Sequence, residues 1–296
     1  MKNKSQDSLK EFILSFSFII PLLLFIILFV LIPILGTIIT SFFRDTTFLS
    51  KKFIFLLNYK QIILDKSFWQ AFRFTLLFTS IAVPLEIILG LIFALLLNET
   101  LPLRGFLRVC ILIPWAIPTA ISARVWELIY NYNYGLANFL LLKIGISNNP
   151  INWLGTSFGA FSALILADTW KTTPFVTIII LAGLQTIPKV LYLQAQVDRT
   201  NFIQRFFRIT LPIIKPIIIV ALLFRTIDSL RIFDIIYVLS RGGPGGSTTS
   251  ISLYSYKYFL TGDFGYASAV SVVLFLISLF LSIIYIKFGK FTKGVT

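Results

Sequence analysis

Apolar residues in this chain run on without interruption, and charges punctuate the runs. From Phe12 to Phe43 no charged residue occurs, a reach of about 48 Å if wholly helical, where roughly 20 such residues cross a bilayer's hydrocarbon core. A second run extends from about Phe74 to Asn98 and carries one acid, Glu86. A third starts after Arg108 and includes CILIPWAIPTAISARVWELIY. A fourth, from about Leu154 to Leu184, is interrupted by Asp168 and Lys171. The fifth follows LPIIKP, and the sixth spans Phe264 to Ile286 and ends in KFGKFTKG. The pattern predicts an all-α integral membrane protein with six transmembrane helices and both termini on one side. Its expected divisions are a cytoplasmic segment 1–11, a first helix 12–43, an external loop 44–69, a core of five helices 70–287 and a cytoplasmic tail 288–296.

Composition agrees with lipid as the solvent. Of the 296 residues 57% are hydrophobic and only 13% charged, where about a quarter is charged in soluble domains. Lys2, Lys4 and Lys10 precede the first run as they would in a signal peptide, but its apolar stretch is too long and no small-residue cleavage site follows. The run therefore reads as an anchored helix. The single cysteine, Cys110, excludes an intrachain disulfide framework and a cysteine metal cluster. Without histidine the commonest general base and zinc ligand are missing, and no catalytic, metal or cofactor site is expected. The net charge of +14 sits mostly at the ends of apolar runs, as topology signals and lipid head-group contacts rather than a nucleic-acid face. With the N-terminus inside, the cytoplasmic segments hold Lys2, Lys4, Lys10, Arg104, Arg108, Lys189, Arg199, Arg205, Arg208, Lys215, Lys287, Lys290 and Lys293. The outer side holds fewer: Arg44, Lys51, Lys52, Lys60, Lys66, Lys143, Arg241 and Lys257. The excess places both termini in the cytoplasm.

Charges inside the spans come with partners three residues on, neighbours on a helix face. These are Arg124 with Glu127, Asp168 with Lys171, and the run Arg225, Asp228, Arg231, Asp234 in RTIDSLRIFD. Two readings are open: structural pairs snorkelling to head groups, or a water-accessible pathway. Arg225 lies ten residues past Lys215, about 15 Å along a helix, near mid-membrane. Glu86 is either protonated or paired with a cation on another helix.

The segment 187–212 is longer than a bare connection needs. Good helix formers run from Lys189 to Val197, Asp198 is a plausible N-cap for a second helix, and Pro212 marks that helix's end. Phe202, Phe206 and Ile209 recur at near-helical spacing, with Arg205 and Arg208 on the other side. Such an amphipathic hairpin lies on lipid or docks into a partner's groove.

This segment resembles the EAA coupling loop of binding-protein-dependent ABC importer permeases, with Ala195, Asp198, Phe206, Ile209, Leu211 and Pro212 in register. LIPWAIPTAISARVW, DTWKTTPFV, LAGLQTIP, RIFDIIYVLSRGGPGGSTTSISLYSY and FGYASAVS resemble that family's carbohydrate-uptake branch, the maltose-type and glycerol-phosphate-type permeases. Leu193 stands where the family has Glu, Gln194 where it has Ala, and Arg199 where it has Gly. Gly eases that turn by taking positive φ, so Arg199 either adopts it at about 1–2 kcal/mol or the turn is built differently.

The resemblance implies a type I ABC importer transmembrane fold in the bacterial plasma membrane. It implies a permease that forms half of a pathway for a sugar or related solute and couples to a separate ATPase through 187–212. Its implied partners are a second permease in a heterodimer, cytoplasmic ATP-binding subunits and an extracytoplasmic solute-binding protein. No G-x-x-x-x-G-K-[ST] occurs, so the chain itself cradles no ATP phosphates; GGPGGST (242–248) lacks the Lys and reads as an outer turn-rich loop. Asp168, Trp170, Lys171, Arg225, Asp228, Arg231 and Asp234 are the implied pathway residues. Trp170 offers a flat face to a sugar ring or simply packs. An ion-coupled secondary transporter or channel, and a degenerate permease kept for assembly, remain as alternatives.

Overall fold

The computed structural model describes residues 16–99 and 102–289. The expected segment 1–11 with its lysines, and Lys290 and Lys293 of the tail, lie outside the described residues. Five helices are long and apolar enough to cross a membrane: α1 (Phe16–Thr40), α3 (Lys66–Asn98), α7 (Ser157–Leu184), α9 (Phe202–Leu230) and α12 (Phe264–Gly289). Short helices are α2 (Leu57–Leu64), α6 (Leu136–Ile144), α8 (Lys189–Val197), α10 (Asp234–Leu239) and α11 (Ile251–Leu260). The expected third span is a pair, α4 (Arg104–Ala116) and α5 (Thr119–Ile129), bent by 92°. The bend falls at Ile117, whose extended backbone (ψ 131°) is what the following Pro118 imposes on its predecessor.

The chain divides into two compact units. In the first, residues 16–64 and 255–273, α1 is followed by an antiparallel hairpin of β1 (Phe43–Thr46) and β2 (Leu49–Phe53), with Arg44 opposite Lys52. Asn58 of α2 donates to the carbonyls of Ser41 (2.8 Å) and Phe43 (3.0 Å), fixing the hairpin's root.

In the second unit, 65–254 and 274–289, α7 is the central helix. Its most apolar stretch is 67% buried, against 17% for α9, because α3, α4, α5 and α9 all pack on it. Small residues permit the approach, as in other helix packing in lipid. A Cβ on Gly90 of α3 would come within 2.5 Å of Val176, and one on Gly183 within 2.6 Å of Ile217. Asp65 caps α3 by accepting from the Ser67 amide (2.7 Å), and Thr156 caps α7 by accepting from Gly159 (3.1 Å).

The hairpin over 187–212 departs from expectation at two points. Asp198 closes α8 at its C-terminal end (φ −74°, ψ 8°) and does not open the next helix. Asn201 does that, in a reciprocal capping box with Gln204, the device that satisfies two orphan amides at once. Pro212 does not end the helix either. A π-helical turn, Phe206–Thr210, precedes it, and the Leu211 amide reaches back to the Phe206 carbonyl. The extra residue in that turn absorbs the proline's missing donor and its ring clash, so α9 continues into the membrane. The same solution, Ile27–Leu31, carries α1 past Pro33. Arg199 takes φ +51°, so the turn is built as the family's Gly would build it, with the steric cost accepted.

Candidate functional site

Arg225 of α9 sits between α3 and α7, and two acids converge on it. Its Nε donates to Glu86 Oε2 at 2.6 Å and its Nη2 to Glu86 Oε1 at 2.9 Å; Nη2 also reaches Asp168 Oδ2 at 3.2 Å. Asp228 stands farther off, 3.8 Å from Nη1. Glu86 is fully buried and Arg225 and Asp168 nearly so. Thr172 places its hydroxyl 2.8 Å from Glu86 Oε1 and 2.7 Å from the Asp168 carbonyl oxygen. Glu86 thus has the cation on another helix that the sequence left open. A bidentate guanidinium is the arrangement that best offsets desolvation of a buried carboxylate.

Lys171 does not pair with Asp168. Its Nζ donates to the Ile117 carbonyl at 2.9 Å and approaches that of Trp115 at 3.5 Å, at the C-terminal end of α4. An ammonium there meets carbonyls that have lost their helical donors and the negative end of the helix dipole. The decapeptide's charges do not form one stripe. Helix α9 stops at Leu230, Arg231 caps it, and Asp234 begins α10. Arg231 is exposed and donates to Asp228 Oδ1 at 2.6 and 3.2 Å. Arg124 and Glu127 form the expected local pair at 2.5 Å, with Arg124 exposed.

Trp170 is 41% exposed and meets Trp126 edge to face, with ring centroids 5.7 Å apart. Trp126 stacks on Tyr130 (5.4 Å), and Tyr130 meets Trp153 (5.5 Å). A groove of roughly 540 Å³ opens beside this aromatic row, lined in part by Leu85, Leu89, Phe93, Trp126 and Trp170. Trp126, Tyr130 and Trp153 were missed from the sequence. Only the four-residue spacing of Trp126 and Tyr130 could have signalled a shared helix face.

In the hairpin, Ala195 is buried and Ile209 packs on the apolar cluster around Leu97, Leu184 and Ile214. Tyr192 and Thr210 share a hydrogen bond (2.8 Å) that ties α8 to α9. Phe206 and Leu211 are half-buried; Asp198, Arg199, Phe202 and Pro212 are exposed. Arg205 does not face away from the aromatics: with Phe202 and Phe206 it lines one groove against Tyr192 and Gln196. The outer face of α8 is apolar. Val190, Leu193 and Val197 are 54%, 59% and 83% exposed, and their spacing places them on one side of the helix.

Residues 86–292 match the family described as "binding-protein-dependent transport system inner membrane component". The trehalose/maltose transport system permease protein MalF of Thermococcus litoralis is 50% identical over 99% of this chain and 100% of its own length. The sulfoquinovosyl glycerol transport system permease protein SmoG of Agrobacterium fabrum is 39% identical over 90% of this chain and 87% of its own. Among solved structures, a bacterial ABC transporter involved in the import of the acidic polysaccharide alginate contains a chain with the same fold. Its TM-score is 0.85 at 23% identity, over 97% of this chain and 99% of that one.

Proposed function

The chain belongs to the family of binding-protein-dependent transport system inner membrane components, and on that premise we propose that it forms half of the pathway of an ATP-driven sugar importer. The relatives are named as transport system permease proteins. A neutral disaccharide of the trehalose or maltose kind is the proposed solute, by analogy with the name of the 50% identical relative. Cytoplasmic ATP-binding subunits, a second permease and an extracytoplasmic solute-binding protein are the proposed partners, with both termini cytoplasmic.

One observation carries the coupling reading: the exposed Val190–Leu193–Val197 face on a hairpin continuous with α9. From Phe202 to Arg225 the helix covers about 35 Å. Movement of the hairpin in an ATPase cleft is thereby delivered to the cluster where α3, α7 and α9 meet. Leu193 belongs to an apolar stripe, so this chain grips its ATPase by apolar burial where the family uses a Glu. Residues 187–212 form the coupling segment, with Leu193, Ala195, Asp198, Arg199, Phe206, Ile209, Leu211 and Pro212 shaping it. For the sugar, Trp170 and Trp126 supply flat apolar faces, and Asp228, Arg231 and Asp234 supply hydrogen-bonding groups. Asp168, Lys171 and Arg225 brace the passage. An ion-coupled transporter would need a free acid buried in the membrane; the two buried acids among the described residues, Glu86 and Asp168, are both held by Arg225.

The test is Leu193→Glu in the reconstituted complex with its ATPase and binding protein. Substrate-stimulated ATPase activity is expected to fall several-fold, since a carboxylate enters an apolar contact. A gain would show that the partner still presents a cation for the family's Glu, and that the permease is impaired as it stands.

A further inference from the structure

A groove of roughly 870 Å³ in the second unit lies between the N-terminal halves of α3 and α7. On α3 its wall includes Lys66, Gln70, Arg73, Leu77 and Ile81, with Trp69 and Phe74 beside them, a spacing of three or four residues that keeps one helix face toward the groove. The wall's cations and amide lie toward the helix start, beside Trp69, and beyond Arg73 it is apolar. Phe158 and Phe161 of α7 form the opposite side. In the proposed orientation both helices begin at the outer surface. Arg73 is then about 10 Å inward from Lys66, at head-group depth, and Leu77 and Ile81 reach into hydrocarbon.

No carboxylate lines this groove, and among the described residues neither Lys66 nor Arg73 is in an ion pair. The hydroxyl of Ser247, from the turn-rich loop 242–248, is buried at the rim without a hydrogen-bond partner among the described residues. Gln70 ties that loop to α3 by donating to the Gly245 carbonyl at 3.4 Å. Two cations, an orphan hydroxyl and the amide-rich start of α7 favour an anion at the mouth. The apolar half below favours a hydrocarbon chain. A sugar would match only the mouth, and a free phosphate would leave the deeper half empty.

We propose that this groove is a binding site for an anionic glycerophospholipid of the outer leaflet. Its phosphodiester sits between Lys66 and Arg73 with Ser247 donating to it, and one acyl chain lies along Leu77 and Ile81. The lipid fills the seam between α3 and α7 at their outer ends.

The test uses the full-length chain in its purified complex, with phosphatidylglycerol and phosphatidylcholine titrated separately and retention read by native mass spectrometry. Phosphatidylglycerol is expected to be retained at least tenfold better. The double variant Lys66→Ala, Arg73→Ala is expected to abolish that preference. Leu77→Trp, which fills the chain groove and leaves the charges intact, is expected to weaken both lipids. Glycerol 3-phosphate, which has the head-group chemistry without a chain, is expected to compete only weakly. Equal retention of the two lipids by the unaltered protein would overturn the proposal, as would full competition by glycerol 3-phosphate. Efficient cross-linking of Phe158→Cys to the second permease in a phosphatidylglycerol bilayer would also sink it, by showing that protein covers the groove. None of these readouts involves transport, so they stand apart from the sugar reading.

Discussion

Arg225 and Arg231 lie six residues apart and share a neighbour in Asp228, yet they live in different solvents. The Arg225 side chain is 6% exposed and draws its hydrogen-bond partners from other helices, Glu86 being 139 residues away and Asp168 57. The Arg231 side chain is 69% exposed and bonds only within its own segment. At depth each charge must be answered by protein, because neither lipid nor water will answer it. Near the end of the helix water does much of that work, and a local pair adds little. Identical spacing in sequence therefore conceals a structural bond in one case and an adaptable surface group in the other.

The contrast is tested most severely at Arg225. Arg225→Met removes the cation from two buried carboxylates, and breaking a buried pair in this way costs about 3–5 kcal/mol. The expected outcome is a large drop in folded protein recovered from the membrane and in its thermal midpoint in detergent. Adding Glu86→Gln should restore part of the loss, because one orphaned charge is then gone. If Arg225→Met proves as stable as Arg231→Met, the buried cluster is not what holds α3, α7 and α9 together.

Lys171 falls between the two extremes. It is buried, but its partners are carbonyl oxygens at the break between α4 and α5. Lys171→Met leaves those acceptors without a donor, a loss of about 1–3 kcal/mol. The effect should be local. Hydrogen exchange is expected to rise at residues 113–121 while protection of α3 changes little.

The spans, the hairpin and its first helix were legible because long apolar runs and helix-forming strings are local signals. Arg199 was legible only in part: the Gly it displaces marks a turn that needs positive φ, but whether Arg199 takes that conformation or the turn is built differently is decided by the structure, where it takes it. The Glu86–Arg225 bond was not, because i,i+3 spacing speaks only for one helix and says nothing of which helices touch. The same blindness assigned Lys171 to Asp168, when the backbone break at Ile117 offered better acceptors. Asp198 was misread as a helix start because Asp suits both ends of a turn; the box formed by Asn201 and Gln204, three residues later, was the stronger signal. Pro212 was misread because a π-turn, invisible in composition, carries the helix past it.

The smallest expected effect is at Arg231, where stability and function separate most cleanly. Arg231→Ala removes a hydrogen-bonded ion pair that is open to solvent, and such pairs contribute about 0–1 kcal/mol. The thermal midpoint should move little, because Asp228 keeps contact with water and a distant interaction with Arg225. Transport is different if the outer charges meet the solute. A guanidinium that bridges sugar hydroxyls cannot be replaced by water held in the same geometry, so the substrate concentration at half-maximal transport should rise several-fold. Arg124→Ala, which breaks the other exposed pair of the same spacing, serves as the internal control for stability. A shift in transport at Arg231 with none in stability at either site assigns the outer charges to the pathway. Unchanged transport in the Arg231 variant would leave the aromatic row of Trp170 and Trp126 as the sugar's principal contact.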